Sequence, residues 1–272
     1  MHYEQFESRT LFAATATLNT STHSLNIQGT SGADTIAVTL SGSNVKVQLN
    51  STTSKSFAAS SITAINVHMS TGNDKFTMTD AVKKAAAIFG EGGNDTLVGG
   101  GQNDYLDGGD NDDKLDGGAG DDQLKGGTGT DTADFSNRTY ALNISLDGVA
   151  NDGGTGGHDN VFTDVENVKG GSAGDTITGS SKNNKLEGNG GNDTIYGNSG
   201  NDTIYGGSGK DYLVGNTGKD VIYGGSDNDT LDGSDGTAAN DILYGEGGTD
   251  DAYFDKSGTS KDTVYTAEHL FS

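Results

Sequence analysis

The sequence predicts an all-β solenoid, in which the chain coils into stacked turns of short strands. A nine-residue unit, Gly-Gly-x-Gly-x-Asp-x-apolar-x, recurs in fixed phase at least a dozen times between Gly90 and Tyr253. The 272 residues include 45 glycines and no proline, and only 31 % of them are hydrophobic. A fixed period of this kind is typical of repeat architectures. So polar a chain cannot build a conventional globular core, because it buries too little apolar surface to offset the entropy of ordering.

The size of one turn of the solenoid follows from the unit itself. The clearest copies follow one another without a gap at 188–196, 197–205 and 206–214. The first six residues of a unit form a loop, and the last three form a strand whose middle residue points inward. A closed coil needs two strands, so two units make one turn. Each loop is therefore expected to stack on the loop eighteen residues away.

The repeats fall into two blocks, 90–134 and 170–253. Between them, 135–169 loses the period and is expected to cap the first block, cover its edge and start the second. After the second block, 254–272 is expected to cap the open end of the solenoid, since exposed ends invite edge-to-edge association.

The amino-terminal part carries a looser version of the same pattern. Residues 1–24 are polar and rich in Thr and Ser, which predicts a flexible arm. Residues 25–89 alternate apolar and polar side chains, as half-buried strands do, with a hairpin turn expected at 41–44. Degenerate copies of the unit around Asp34 and Asp74 indicate a wider β-solenoid here. Whether such isolated copies are ordered enough to hold a ligand stays open.

One carboxylate recurs at the sixth position of the unit, where the loop ends. Glycines at positions one, two and four allow backbone conformations closed to other residues and let carbonyl oxygens converge. Carbonyl and carboxylate oxygens suit Ca²⁺, which takes roughly six to eight oxygen ligands, better than Mg²⁺, Zn²⁺ or copper. The predicted carboxylate ligands are Asp95, Asp104, Asp113, Asp122, Asp131, Asp175, Asp193, Asp202, Asp211, Asp220, Asp229, Asp241 and Asp250.

The net charge of the chain also indicates a cation as its ligand. Its net charge is −23, which argues against nucleic acid as a partner. Stacked loops would place carboxylates about 4.8 Å apart, where they repel by roughly 1 kcal/mol in water and several-fold more at a partly buried site. Calcium binding and folding are therefore expected to be one event. Without cysteine there are no disulfides, and no apolar run is long enough to span a membrane.

The repeats resemble those of the RTX (repeats-in-toxin, hemolysin-type) calcium-binding family over about 90–134 and 170–253. The resemblance implies a right-handed parallel β-roll with Ca²⁺ between loops. A site in that family takes the carbonyls of positions two and four and the aspartate of one loop. It adds the carbonyls of positions one and three and the aspartate of the loop one turn on. Carried over unit by unit, this implies roughly eight ions, with further ligands at Gly93, Gly108, Gly117, Gly126, Gly188, Asn189, Gly191, Asn198, Gly200, Gly206, Ser208, Gly209, Gly215, Thr217 and Gly224.

Two departures from the repeat are expected to weaken individual sites. Asn184 stands where the unit has aspartate, so the site that it would share with Asp202 should be weak. A three-residue insertion at Thr237 is expected to disturb the pairing of Asp220 with Asp241.

Catalytic motifs are missing from the sequence, which predicts that the protein is not an enzyme. It has no His-Glu-x-x-His, no Gly-x-Ser-x-Gly and no Gly-Lys-Ser/Thr, and its five histidines are scattered.

One surface feature goes beyond calcium. Alternate units place Tyr205, Tyr223 and Tyr244 on one face, as a stripe that could stack on sugar rings or another protein. Tyrosine also favours strands for their own sake. Three hypotheses follow: a calcium-dependent folding module of a secreted or cell-surface bacterial protein, a calcium-stabilised adhesin or polysaccharide-binding module, and an ice-binding solenoid. Lys210 and Lys219 interrupt the array that ice binding would need.

Overall fold

A computed structural model describes residues 13–154, 158–235, 239–255 and 262–271. Over these residues the protein is all-β, with parallel coils stacked into a solenoid of about eleven turns. The predicted all-β solenoid is therefore confirmed. Its one helical element is a single 3₁₀ turn, Ala59–Ser61. No helix in the described ranges is long and apolar enough to cross a membrane.

The strands are short, and most of them belong to parallel pairs. Before the first block lie β1 (Thr15–Asn19), β2 (Ser24–Gln28), β3 (Thr35–Ser41), β4 (Asn44–Leu49), β5 (Thr53–Ala58), β6 (Ala64–His68) and β7 (Lys75–Met78). The first block contains β8 (Ala86–Gly92), β9 (Thr96–Gly100), β10 (Tyr105–Asp110), β11 (Lys114–Gly118), β12 (Gln123–Thr128) and β13 (Thr132–Asp134). The segment between the blocks contains β14 (Asn143–Ser145), β15 (Asn160–Val161) and β16 (Asn167–Lys169).

The second block and the residues after it complete the stack. They contain β17 (Thr176–Thr178), β18 (Lys185–Gly190), β19 (Thr194–Tyr196), β20 (Thr203–Ser208), β21 (Tyr212–Val214), β22 (Val221–Ser226), β23 (Thr230–Asp232), β24 (Ile242–Gly247), β25 (Asp251–Tyr253), β26 (Thr263–Tyr265) and β27 (His269–Phe271).

The strands form three sheets, between which the chain alternates as it coils. A thirteen-stranded sheet runs through both blocks in the order β26-β24-β22-β20-β18-β16-β13-β11-β9-β7-β3-β4-β5. The other two sheets have seven strands each, in the orders β1-β2-β6-β8-β10-β12-β15 and β14-β17-β19-β21-β23-β25-β27. The segment at 135–169 therefore ends one of the seven-stranded sheets, begins the other, and contributes β16 to the sheet that joins the two blocks.

The stacking register is the one that the nine-residue unit predicts. Leu106 pairs with Leu124, and Ile204 with Ile222, each eighteen residues apart. These eighth-position side chains are almost completely buried and form a narrow column of aliphatic groups along the axis. Ile222 pairs with Leu243, twenty-one residues on, so the insertion leaves the register intact. Thr237 itself lies outside the described residues.

The ends of the solenoid differ from the expectations. The predicted arm at 1–24 is wrong from Thr15 onward, because β1 pairs with β2 and buries Ala16 opposite Ile27. Within 25–89, β3, β4 and β5 form an antiparallel meander on the edge of the long sheet, so this region is only partly a solenoid.

At the opposite end, the described part of the predicted cap at 254–272 extends the solenoid and does not cover it. Residues 262–271 add one more turn, since β26 and β27 pair in register with β24 and β25. Leu270 stays 52 % exposed and Phe271 43 % exposed, because no further coil packs on them in the described residues.

Candidate calcium sites

Every predicted sixth-position aspartate is buried and accepts a backbone hydrogen bond from the preceding turn. The pattern is clearest in the second block, where the N–H of Asp193 donates to Oδ1 of Asp211 at 2.8 Å and the N–H of Asp211 donates to Oδ1 of Asp229 at 2.9 Å. Loops eighteen residues apart are therefore joined by these hydrogen bonds into columns of carboxylates. We call each column a ladder and each of its sixth-position side chains a rung.

Two such ladders follow the solenoid, and both extend beyond the repeat blocks. The first joins Asp34, Asp74, Asp95, Asp113, Asp131 and Glu166, and resumes with Asn184, Asp202, Asp220, Asp241 and Asp262. The second joins Asp104, Asp122 and Asp159, and resumes with Asp175, Asp193, Asp211, Asp229, Asp250 and Glu268. The expected disturbance between Asp220 and Asp241 is wrong, because their hydrogen bond is 2.7 Å long.

Within the described residues, the second oxygen of most rungs has no hydrogen-bond partner. Oδ2 is buried and accepts no hydrogen bond in Asp74, Asp95, Asp113, Asp122, Asp131, Asp193, Asp202, Asp211, Asp220, Asp229, Asp241 and Asp250. A buried carboxylate oxygen without a donor or a cation is costly. Each of these oxygens therefore needs a proton or a metal ion.

Position-one glycines let successive loops pack closely around the sixth-position carboxylates. A Cβ placed on Gly224 would lie 2.6 Å from Oδ2 of Asp229 and 2.7 Å from the carbonyl oxygen of Gly245. In the same way, a side chain would collide with the sixth-position Oδ2 at Gly108, Gly117, Gly126, Gly188, Gly206 and Gly215. Only glycine fits beside these oxygens without displacing them.

The remaining predicted ligands lie where neighbouring loops meet. The carbonyl of Ser208 accepts the N–H of Gly191 at 2.9 Å, and the carbonyl of Thr217 accepts the N–H of Gly200 at 3.0 Å. Left-handed backbone occurs at Asn189, Asn198, Gly93, Gly191, Gly200 and Gly209.

Burial sets the electrostatics of the rungs. Removal from water raises the pKa of Asp193, Asp202 and Asp211 to about 7, against the lowering effect of the hydrogen bond that each accepts. In Asp113 burial and the neighbouring Asp95 and Asp131 raise the pKa to about 8. A cation between the rungs would offset both burial and repulsion.

The donor set fits a hard cation. No group of three or more His, Asp or Glu side chains comes together within the described residues. A site would therefore hold carboxylates from adjacent rungs and backbone carbonyls. Oxygen-only coordination of this kind suits Ca²⁺.

The junction between the blocks is built differently, and the sequence patterns missed it. The Nη2 of Arg138 donates to Oδ1 of Asp116 at 2.7 Å and to the carbonyl of Gly118 at 2.6 Å. Its charge lowers the pKa of Asp122 and Asp159, although burial raises both pKa values to about 8 and about 6. A protein cation thus lies beside the last rungs of the second ladder in the first block.

Lysine takes a similar place on the first ladder. The Nζ of Lys182 is 2.6 Å from Oε1 of Glu166, whose Oε2 accepts the N–H of Asp131 at 3.0 Å. Asn184 donates from Nδ2 to the carbonyl of Glu166 at 2.8 Å and accepts the N–H of Ser180 at 2.7 Å. The polar groups at this position are therefore paired with other groups of the protein. Glu166 lies in the segment that loses the period, so the repeat revealed only Asn184, as a departure from the unit.

The tyrosine stripe is a stack of four rings. Tyr205, Tyr223 and Tyr244 have centroids 4.8 Å apart and nearly parallel planes, and Tyr265 extends the stack at 4.9 Å. The Nζ of Lys185 lies 5.2 Å from the centroid of Tyr205. The inner ring faces are therefore covered by other rings, and their edges are what solvent can reach.

Comparison with known families agrees with this geometry. The family model described as RTX calcium-binding nonapeptide repeat (4 copies) matches residues 89–124, 103–133, 169–204, 205–237 and 234–256. The two repeat blocks thus belong to the RTX calcium-binding repeat family, as the sequence predicted. Among curated proteins, none matches the chain.

Proposed function

We propose that the protein is a calcium-binding scaffold whose folding depends on Ca²⁺. The observation that carries the proposal is the row of twelve buried Oδ2 atoms without partners, stacked along the two ladders. RTX repeats bind calcium, and most of these oxygens pack against the position-one glycine of their own loop.

The physical reason for the dependence on calcium is charge. The chain carries a net charge of −23, and the ladders place buried carboxylates on successive turns. Because burial and repulsion raise the pKa of these groups, the ionised ladder is unstable near neutral pH unless a cation lies between the rungs. The binding free energy of the ions then becomes folding free energy.

This coupling suits a secreted or cell-surface bacterial protein. Millimolar external calcium matches the weak affinities of extracellular modules. Such a chain would stay unfolded inside the cell, where calcium is scarce, and would fold only after export to the calcium-rich exterior. The role proposed is structural and not catalytic.

A circular-dichroism titration of the full chain tests the proposal. We expect little β-structure in chelator, a cooperative gain on adding Ca²⁺, and a much smaller gain with Mg²⁺ at the same concentration, because Mg²⁺ prefers shorter bonds and retains its waters. Equal β-structure in chelator and in saturating Ca²⁺ would contradict the proposal.

The tyrosine stripe supports a stabilising role more than a sugar-binding one. Sugar rings stack on aromatic faces, and the inner faces of this stripe are already covered by neighbouring tyrosines. Stacked aromatic ladders stabilise parallel strands. We therefore do not propose an adhesin function on the basis of this feature.

A further inference from the structure

Fifteen of the described loops in the two ladders have one of two backbone conformations. In eleven loops the residues at positions two and four both have positive φ angles. The position-two residues are Ser70, Glu91, Gly109, Gly118, Gly127, Asn189, Asn198, Gly207, Asn216, Gly225 and Glu246. The position-four residues are Gly72, Gly93, Asn111, Gly120, Gly129, Gly191, Gly200, Gly209, Gly218, Asp227 and Gly248. We name these the open loops. Every open loop ends in an aspartate whose buried Oδ2 has no partner.

Four other loops have a positive φ at neither position, and we name them the closed loops: 29–34, 99–104, 170–175 and 179–184. In each, the position-two N–H turns back onto the sixth residue of its own loop. Gly100 donates to Oδ2 of Asp104 at 2.7 Å, and Gly171 donates to Oδ2 of Asp175 at 2.6 Å. The same bond joins Thr30 to Asp34 at 2.6 Å and Ser180 to Asn184 at 2.7 Å.

The sequence contains a physical cause for the difference. Position four is Gln102, Ala173 or Lys182 in three of the closed loops, and left-handed backbone is costly for such residues. In the open loops this position is glycine, apart from Asn111 and Asp227. Asparagine and aspartate are the residue types that tolerate the left-handed region best after glycine.

We propose that Ca²⁺ occupies the open loops and is excluded from the closed loops. The proposal rests on calcium binding as the function and assigns its positions. It removes the ions that the repeat pattern expects at Asp104 and Asp175. It adds a site between loop 90–95 and loop 69–74, the second of which lies outside the residues matched by the repeat family. Asp74 is 3 % exposed there, and its Oδ2 has no partner in the described residues.

The reason for exclusion is that a closed loop offers a cation no carboxylate oxygen that is free of an N–H donor. Both carboxylate oxygens of Asp104 already accept backbone N–H groups, from Ala86 at 2.7 Å and from Gly100 at 2.7 Å. An entering ion would have to break the second bond and meet the positive end of an N–H dipole. Asp113, one of the open rungs in the same block, accepts the N–H of Asp95 on Oδ1 and keeps Oδ2 free for a cation.

Counting ions in matched variants tests the assignment. Bound calcium per folded chain is measured by equilibrium dialysis and atomic emission at saturating Ca²⁺, for the full chain and for Asp113→Asn, Asp104→Asn and Asp74→Asn. We expect Asp113→Asn and Asp74→Asn each to lose at least one ion and Asp104→Asn to lose none. A loss in Asp104→Asn equal to that in Asp113→Asn, or an unchanged count in Asp74→Asn, would overturn the inference.

A second measurement needs no variant and guards against misfolding. Crystals of the unaltered chain grown in calcium and measured by anomalous diffraction locate the ions directly. Ions in the open loops and none in the four closed loops are the expected result, and an ion in a closed loop sinks the assignment. If the unaltered chain binds no calcium at all, the proposed function itself fails, which is a separate outcome.

Discussion

A single methyl group at Gly224 should remove a calcium ion. The substitution Gly224→Ala places a Cβ 2.6 Å from Oδ2 of Asp229 and 2.7 Å from the carbonyl oxygen of Gly245. A methyl group this close pushes away two oxygens that an ion in this loop would contact. Calcium–oxygen bonds of about 2.3–2.6 Å need both oxygens in place. The backbone at Gly224 is not left-handed, so alanine adds no strain from that source.

The expected cost follows from linkage between binding and folding. An ion present at a hundredfold excess over its dissociation constant stabilises the fold by about 2.7 kcal/mol. Losing one ion should therefore lower the free energy of unfolding by about 3 kcal/mol in saturating calcium, and the short contacts of the methyl group add to this.

The matched control is Gly247→Ala, in the next loop of the same stack. A Cβ there meets nothing closer than the carbonyl oxygen of Gly225 at 3.5 Å, an ordinary contact. Both substitutions restrict the unfolded chain alike, by about 0.4–1 kcal/mol. Urea unfolding in saturating calcium, with the ion count from dialysis, compares the two. If Gly224→Ala matches Gly247→Ala in both quantities, these two oxygens do not bind an ion.

Three further outcomes follow from the structure. In chelator, acidification should restore β-structure, because the pKa values of Asp193, Asp202 and Asp211 lie at about 7 in the fold and near 3.8 in the unfolded chain. The stability that their protonation contributes is fully present below pH 3.8 and is lost as the pH rises through about 7. A circular-dichroism signal for β-structure that falls on acidification would contradict this. Tyr223→Ala should lower the free energy of unfolding in urea by about 2 kcal/mol, since it removes two stacked ring contacts. Tyr212 is 41 % exposed and its ring is edge-on to that of Tyr196, so Tyr212→Ala should cost clearly less. Equal costs would show that the stack contributes nothing. Arg138→Gln should destabilise the fold by about 3–5 kcal/mol in saturating calcium, because it leaves Asp116 buried without its cation. A thermal unfolding midpoint equal to that of Lys210→Gln, a variant at an exposed site, would refute this.

Much of the fold could be predicted because one short unit specifies it. The eighth-position aliphatic must point inward and the loop must close in six residues, so the pairing of Ile204 with Ile222 follows from the period alone. The register survives even at the insertion, where Ile222 pairs with Leu243, since the strands on both sides keep their inward residues in phase. Extra residues in a loop leave this phase unchanged when they lie outside the strand.

The ends and the junction could not be predicted, because no repeat specifies them. Ala16 lies in a Thr-rich stretch that resembles an arm, and only its partner strand buries it. Arg138 and Glu166 lie in sequence without a period, and their partners Asp116 and Lys182 are more than fifteen residues away. Contacts of this kind depend on which loops the solenoid brings together.

In three of the four closed loops, the difference from the open loops lies in the fourth position of the unit more than in its sixth residue. Asp104 and Asp113 are equivalent in the pattern and both are buried, yet one has both oxygens bonded by N–H groups and the other has a free oxygen. Gln102 disfavours the left-handed backbone that Asn111 tolerates at the same position. The number of ions would then be set by residues that never touch calcium with their side chains. The closed loops 170–175 and 179–184 follow the junction. If they take no calcium, they separate the calcium sites of the first block from those of the second, and each block can bind its ions independently.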